Sequence, residues 1–277
     1  MNRIDNLLSQ CTHTRQKSLL TSACKAALTA GKFICGNLNK PHDITMKGAI
    51  DLVTETDIAA EQIIVQILKQ DFPDIAVMTE EQTESHLLAT KQLWIVDPLD
   101  GTTNFAHGFP YFAVSIAFLN EDIPEIAVIY APFQDELFSA VKGSGAWLND
   151  RAIHVTKTQQ LIEALIGTGF PYDIKNCLPE VIQQLQSLLP NVRDIRRAGA
   201  AALDLAYVAC GRLDGFYEAH LQPWDTAAGW LLIEEAGGMV STFTGDAYSP
   251  FYPETLASNG ELHPQLLKHL QWPIPHL

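Results

Sequence analysis

Apolar residues at Leu19, Leu20, Ala23, Ala27, Ala30 and Ile34 recur at three- and four-residue intervals. That spacing predicts a helix over residues 15–38, closed by Gly36-Asn37. Ile63, Ile64, Ile67 and Leu68 repeat it and predict a second helix over 58–72, with Pro73 beyond its end and Thr56 or Asp57 as its cap. The period then shortens. Runs rich in apolar and β-branched residues at 75–79, 93–96, 113–119, 126–130 and 137–141 are separated by Pro, Gly, Asn or Asp, and predict an antiparallel-rich first half. Further on, strands at 164–168, 192–196, 215–218, 239–242 and 256–258 alternate with helices at 178–189, 200–210, 225–236 and 264–270. The change sets a boundary near residue 150, between an N-terminal α+β half (1–150) and a C-terminal α/β half (151–277). No repeat or linker separates them, so the halves are expected to share a continuous interface.

With 277 residues and 47% hydrophobic composition the chain can bury a large core. Its net charge of −14, from 18 basic and 32 acidic residues, argues against direct nucleic-acid binding, which draws on clustered Lys and Arg. The same acidity is compatible with phosphate chemistry if bound cations reverse the field locally. The five cysteines, Cys11, Cys24, Cys35, Cys177 and Cys210, form no CxxC pair and read as reduced thiols. A polar N-terminus, and the lack of an apolar run near the roughly 18 residues of a spanning helix, predict a cytoplasmic protein with no membrane contact.

The chemistry concentrates in Trp94-Ile-Val-Asp-Pro-Leu-Asp-Gly-Thr-Thr-Asn-Phe-Ala-His-Gly-Phe-Pro110. A short apolar strand launches Asp97 and Asp100 into a turn stiffened by Pro98, so both carboxylates can face one cation cluster. The small residues Gly101, Thr102 and Thr103 allow backbone N–H groups to approach an anion. A capped strand-to-helix turn also fits these residues. Asp57, Glu80 and Asp225 repeat the theme of a carboxylate at the edge of an element, and hard cations such as Mg²⁺ take such oxygen ligands. Asp57 and Asp225 read equally well as helix N-caps, and Glu80-Glu81 as a solvated pair. His107, with no partner at metal-ligand spacing, reads as a surface or packing residue.

Together these segments resemble the inositol monophosphatase family of Mg²⁺-dependent, lithium-sensitive phosphatases. The resemblance rests on Trp94 to Phe105, on Trp224-Asp-Thr-Ala-Ala-Gly-Trp-Leu-Leu-Ile-Glu-Glu-Ala-Gly-Gly238, on Asp51-Leu-Val-Thr-Glu-Thr-Asp57, on Glu80-Glu81 and on Gly167-Thr-Gly-Phe-Pro171. It covers nearly everything after residue ~15 and implies an α+β or α/β fold, a layered αβαβα sandwich of the sugar-phosphatase type.

The resemblance also implies roles. Glu80, Asp97 and the Leu99 carbonyl would bind a first Mg²⁺, and Asp97, Asp100 and Asp225 a second. A weaker third ion would lie near Glu80. Glu80 and Thr102 would orient and deprotonate the attacking water, with Asp57 accepting the Thr102 hydroxyl, while the N–H groups of Gly101 and Thr102 hold the phosphate. Gly199, Ala200, Ala201, Glu218, Asp100 and Asp225 would meet the alcohol part of the substrate. Lys47 would sit on a basic loop near the metals; residues 1 to 14 have no counterpart.

The implied activity is hydrolysis of myo-inositol 1-phosphate and similar small polyol monophosphates by a homodimer. Fructose 1,6-bisphosphate and phosphoadenosine nucleotides are the substrates of related branches. A rival role from another class is that of an RNA polymerase accessory factor in ribosomal RNA transcription, for which Arg193, Arg196, Arg197 and Arg212 are a candidate contact cluster.

Overall fold

The computed structural model describes residues 3–38, 40, 44–46, 52–80 and 90–270; Lys47, Asp51 and Glu81 lie outside them. A short helix α1 (Asp5–Gln10) precedes the long α2 (Thr14–Asn37), which carries Gly36 inside it rather than ending there. The hairpin strands β1 (Ile44–Met46) and β2 (Leu52–Thr54) lead into α3 (Glu55–Asp71), one turn earlier than its apolar periodicity suggests. Next come β3 (Ala76–Thr79), β4 (Gln92–Asp100), α4 (Thr102–Ala106), β5 (Ala113–Asn120), β6 (Ile123–Ala131), β7 (Glu136–Val141), β8 (Ala146–Leu148) and β9 (Arg151–Ile153). β3 to β9 form one sheet in chain order, parallel between β3 and β4 and antiparallel from there on.

The rest of the chain supplies β10 (Leu165–Thr168), α5 (Ile174–Leu188), β11 (Asp194–Arg196), α6 (Ala201–Ala209), β12 (Gly215–Ala219), α7 (Pro223–Glu235), β13 (Met239–Ser241), β14 (Glu254–Ser258) and α8 (His263–Leu266). The second sheet runs β11-β10-β12-β14-β13, parallel on its β11-β10-β12 side and antiparallel on the other.

Strand alternation sorts the side chains into layers. On β4, Trp94 and Val96 join a core with Leu19, Ala23, Ala27 and Ile64 of α2 and α3. Leu93 and Ile95 join the opposite core with Leu203, Leu205, Leu231 and Leu232 of α6 and α7. A third cluster packs Ile166 and Leu256 of the second sheet against Leu188 of α5 and Leu266 of α8. The order is therefore α2/α3, seven strands, α6/α7, five strands, α5/α8: the expected αβαβα sandwich.

Trp94 is fully buried, its ring 5.1 Å from Phe118 and 6.1 Å from Phe72. Each buried Leu or Ile of these layers contributes about 1.5–3 kcal/mol relative to exposure. The middle layer is tight at Gly229, where a Cβ would stand 2.5 Å from Leu205 Cδ1. N-terminal residues are part of the same body, since Leu7 is buried and Arg3 is ion-paired with Asp135.

Candidate active site

The alternation that puts Leu93 and Ile95 on the α6/α7 face puts Asp97 there too. The parallel register pairs Thr79 with Val96, so Glu80 follows β3 beside Asp97. Asp97 lies opposite Ser115, and the β4/β5 ladder becomes irregular between Asp97 and Asp100, where Pro98 interrupts it. Ser115 Oγ donates to the Trp224 carbonyl at 3.2 Å, tethering the start of α7 over this strand. Asp225 arrives by that route.

Two aspartates sit at the third position of a helix rather than at its cap. Thr54 is the N-cap of α3, its hydroxyl accepting from the Thr56 N–H at 3.2 Å, and Asp57 Oδ2 accepts the Thr54 N–H at 2.9 Å. Gln222 is the N-cap of α7, and Asp225 Oδ2 accepts its N–H at 2.7 Å. The N-cap readings of Asp57 and Asp225 are corrected accordingly: both belong to capping boxes, in which a carboxylate reaches back to the cap.

Asp57 Oδ1 accepts from Thr102 Oγ at 2.8 Å, and the same hydroxyl lies 3.0 Å from the Leu99 carbonyl. Gly101 holds φ +90°, a conformation suited to glycine, and a Cβ there would stand 3.0 Å from the Tyr111 carbonyl oxygen and 3.2 Å from Ala200 Cβ. Beyond it Thr102 opens α4, where first-turn N–H groups lie ahead of the intrahelical ladder. Gly199, Ala200 and Ala201 approach from the α6 side. Asp100 accepts the N–H groups of Ala201 (3.2 Å), Ala202 (2.8 Å) and Leu203 (3.3 Å), an anion at a helix start. Glu218 stands at the end of β12 beside Gly169, where a Cβ would fall 2.0 Å from Glu218 Oε2.

The electrostatics are those of crowded carboxylates. Burial, then Glu80, Asp100 and Asp225 in that order, push Asp97 well above the ordinary carboxylate range. Asp100 is pushed up to about 7, chiefly by burial, with Asp204 and Glu80 adding and the Leu203 and Ala202 N–H groups opposing. Glu218 is raised by burial and then by Asp225 and Asp204. Such mutual repulsion is relieved by a cation, and an all-oxygen donor set suits a hard divalent one. The residues fit Mg²⁺ on that chemistry.

Among the described residues, the one set of three His, Cys, Asp or Glu with donor atoms all within 4.8 Å of one another lies elsewhere, at Asp173, Cys177 and His220. Glu80, Asp100 and Asp225 act on Asp97 through charge without meeting that distance.

Several supporting residues belong to neither the ligand set nor the substrate set expected from the sequence. Asp204 accepts the Tyr111 hydroxyl at 2.5 Å and acts on Asp100 through charge. Asn104 Nδ2 reaches the carbonyls of Tyr111 (2.7 Å), Ala198 (2.9 Å) and Gly199 (3.2 Å), joining the aspartate turn to the α6 loop. The second glycine of Gly167-Thr-Gly was a readable sign of close approach. Asp204, inside an apolar helix, was another.

His107 is exposed, a surface residue. Three of the four arginines engage local partners. Arg212 forks onto Glu136 with both contacts at 2.5 Å, Arg196 pairs with Asp194 at 2.5 Å, and Arg197 lies over the Phe170 ring at 5.4 Å.

Comparison with known proteins shows the family. Residues 15–272 match the profile described as "Inositol monophosphatase family". The chain is similar to the inositol-1-monophosphatase of Synechocystis sp., with 43% identity over 258 residues, 91% of this chain and 90% of that one. It is likewise similar to Nus factor SuhB of Pseudomonas aeruginosa, with 45% identity over 266 residues, 94% of this chain and 97% of the other. Among solved structures, extragenic suppressor protein suhB from Bartonella henselae superposes with a TM-score of 0.88 at 39% identity, covering 92% of this chain and 99% of that one.

Proposed function

The chain belongs to the inositol monophosphatase family, and from that premise we propose that it is a Mg²⁺-dependent phosphomonoesterase acting on myo-inositol 1-phosphate and similar small polyol monophosphates. The observation that carries the reading is Asp97, buried with Glu80, Asp100 and Asp225 pressing on its charge. Glu80, Asp97, the Leu99 carbonyl, Asp100 and Asp225 would hold the ions, two or three per site. When bound, Mg²⁺ supplies positive charge to the phosphoryl oxygens and lowers the pKa of a coordinated water.

The protein's own groups do the rest. Asp57 accepts the Thr102 hydroxyl proton, which leaves the Thr102 oxygen lone pairs to orient the attacking water. Glu80 takes the proton that water loses. N–H groups of Gly101 and Thr102 cradle the phosphate, and their orientation is fixed before reaction, so little reorganisation is needed. Glu218, Asp225 and the 199–201 segment meet the substrate hydroxyls. Attack is in line on phosphorus, with no covalent enzyme intermediate.

A substrate panel read by phosphate release tests this, with and without Mg²⁺ and with Li⁺ as inhibitor. Preference for inositol 1-phosphate, dependent on Mg²⁺, is expected. Preference for fructose 1,6-bisphosphate or a phosphoadenosine nucleotide contradicts the substrate assignment.

A second reading is favoured by the relatives named Nus factor SuhB: an accessory role in transcription through a protein contact with RNA polymerase. Retention of polymerase by the wild type, weakened in an Arg196→Ala/Arg197→Ala variant, is its expected signature. Absence of retained polymerase removes it.

A further inference from the structure

Asp173, Cys177 and His220 each present a donor atom within 4.8 Å of the other two. The set mixes a carboxylate, a thiol and an imidazole, so its preference differs from that of the all-oxygen active site. Thiolate and imidazole select zinc-class ions, whereas carboxylates and carbonyls select Mg²⁺. Three protein ligands and one open position form a common zinc arrangement.

Two backbone irregularities bring the donors together. His220 holds φ +64°, a left-handed conformation that non-glycine residues adopt sparingly, in the loop between β12 and α7. Cys177 departs from helical geometry within α5, at φ −128° and ψ 15°, with Pro179 two residues on. Asp173 is the N-cap residue of α5, yet its side chain makes no capping hydrogen bond. Its Oδ1 instead lies 2.9 Å from His220 Nδ1.

The dimensions fit. Tetrahedral zinc with bonds of about 2.0–2.1 Å spaces its nitrogen and oxygen ligands about 3.3 Å apart, so the Asp173–His220 pair opens by only a few tenths of an ångström. Cys177 is 5% exposed, while the side chains of His220 and Asp173 are 33% and 47% exposed, so an ion can enter from the solvent side and meet the thiol below. Cys177 Sγ already points to the first turn, 3.8 Å from the Asp173 carbonyl oxygen.

We propose that Asp173, Cys177 and His220 form a second metal site, selective for zinc-class divalent ions and separate from the carboxylate cluster. His220 lies two residues beyond Glu218 and five before Asp225. An ion held there ties the start of α5 to the loop that joins the elements carrying those two residues. The assignment does not rest on the phosphatase reading, because its readout is metal binding.

The test is a cobalt(II) titration of the full-length protein, followed by absorption, with zinc(II) as competitor and Mg²⁺ present throughout to occupy oxygen sites. Wild type is expected to bind one cobalt with a thiolate-to-cobalt charge-transfer band in the near ultraviolet, which zinc abolishes. His220→Gly removes one donor while suiting the positive φ, and Cys177→Ser removes the sulfur. Cys177→Ser is expected to abolish the band and His220→Gly to weaken the band-forming site at least about tenfold, with circular dichroism unchanged. A wild type without the band overturns the proposal, and so does a band retained in Cys177→Ser or one of undiminished affinity in His220→Gly.

Discussion

The starts of α3 and α7 are built alike and put to different uses. Each helix places an aspartate at its third position, and in each one carboxylate oxygen accepts the N–H of the cap residue, Thr54 or Gln222. Asp57 is buried, and its second oxygen receives a hydroxyl, that of Thr102. Asp225 is half-buried and acts on Asp97 and Glu218 through charge. One local motif therefore serves once as a hydrogen-bond acceptor that orients a threonine and once as a carboxylate added to an already crowded anionic site. Tertiary placement decides between them, through Ser115 holding the Trp224 carbonyl on one side and the Gly101 turn on the other.

Substitution separates the two uses. Asp225→Asn keeps an oxygen for the Gln222 N–H and deletes only the charge. Phosphate release is expected to fall by about two to three orders of magnitude, with thermal stability of the metal-free protein unchanged or raised as repulsion on Asp97 is relieved. Asp57→Asn must turn its amide NH₂ toward either Thr54 or Thr102, both of which donate to the native carboxylate. A smaller loss, roughly ten- to a hundredfold in kcat, should accompany a lower melting temperature. Equal effects of the two changes on activity and stability would erase the distinction.

Much of this was legible in the chain. The strand that ends at Asp97 and Asp100 is a run of apolar residues broken by Pro98, and its acidic end is visible without a structure. Apolar periodicity in α3 starts at Ile58 and so points to Thr56 or Asp57 as the cap, whereas Thr54 with Asp57 three residues later already spells the capping box. Short elements such as Asp5–Gln10 and the strands Ala146–Leu148 and Arg151–Ile153 carry too few residues for a period to register. Cys177 and His220 are far apart in sequence, and only the α5 irregularity and the left-handed loop bring them together. Three of the arginines that look clustered in the chain engage Glu136, Asp194 and Phe170, partners that no local pattern announces.

Acidity offers a third way to sharpen the comparison. Asp100 and Asp204 titrate near 7 in the fold, above the unfolded carboxylate value of about 3.9. Between about pH 4 and pH 7 the native protein therefore binds more protons than the unfolded chain, and metal-free stability falls as pH rises through that window. Melting temperature of chelator-treated protein should climb as pH is lowered from about 8 towards 5, and saturating Mg²⁺ should flatten the dependence. A melting temperature that drops steadily on acidification of the chelated protein would contradict the burial of these carboxylates as the cause of their raised values.

The smallest effect is expected at Thr54. Thr54→Ala removes the hydroxyl that accepts from Thr56 and donates to Asp57, costing about 1–2 kcal/mol of stability in a denaturant titration. Turnover should change less than in Asp57→Asn.

The most direct measurement is Mg²⁺-dependent phosphate release from inositol 1-phosphate by Asp97→Asn, with circular dichroism and melting recorded on the same preparation. Asp97 is the buried carboxylate on which Glu80, Asp100 and Asp225 converge electrostatically. A folded protein without measurable release is predicted. Retained Mg²⁺-dependent turnover in that variant would contradict the assignment of this cluster as the catalytic centre.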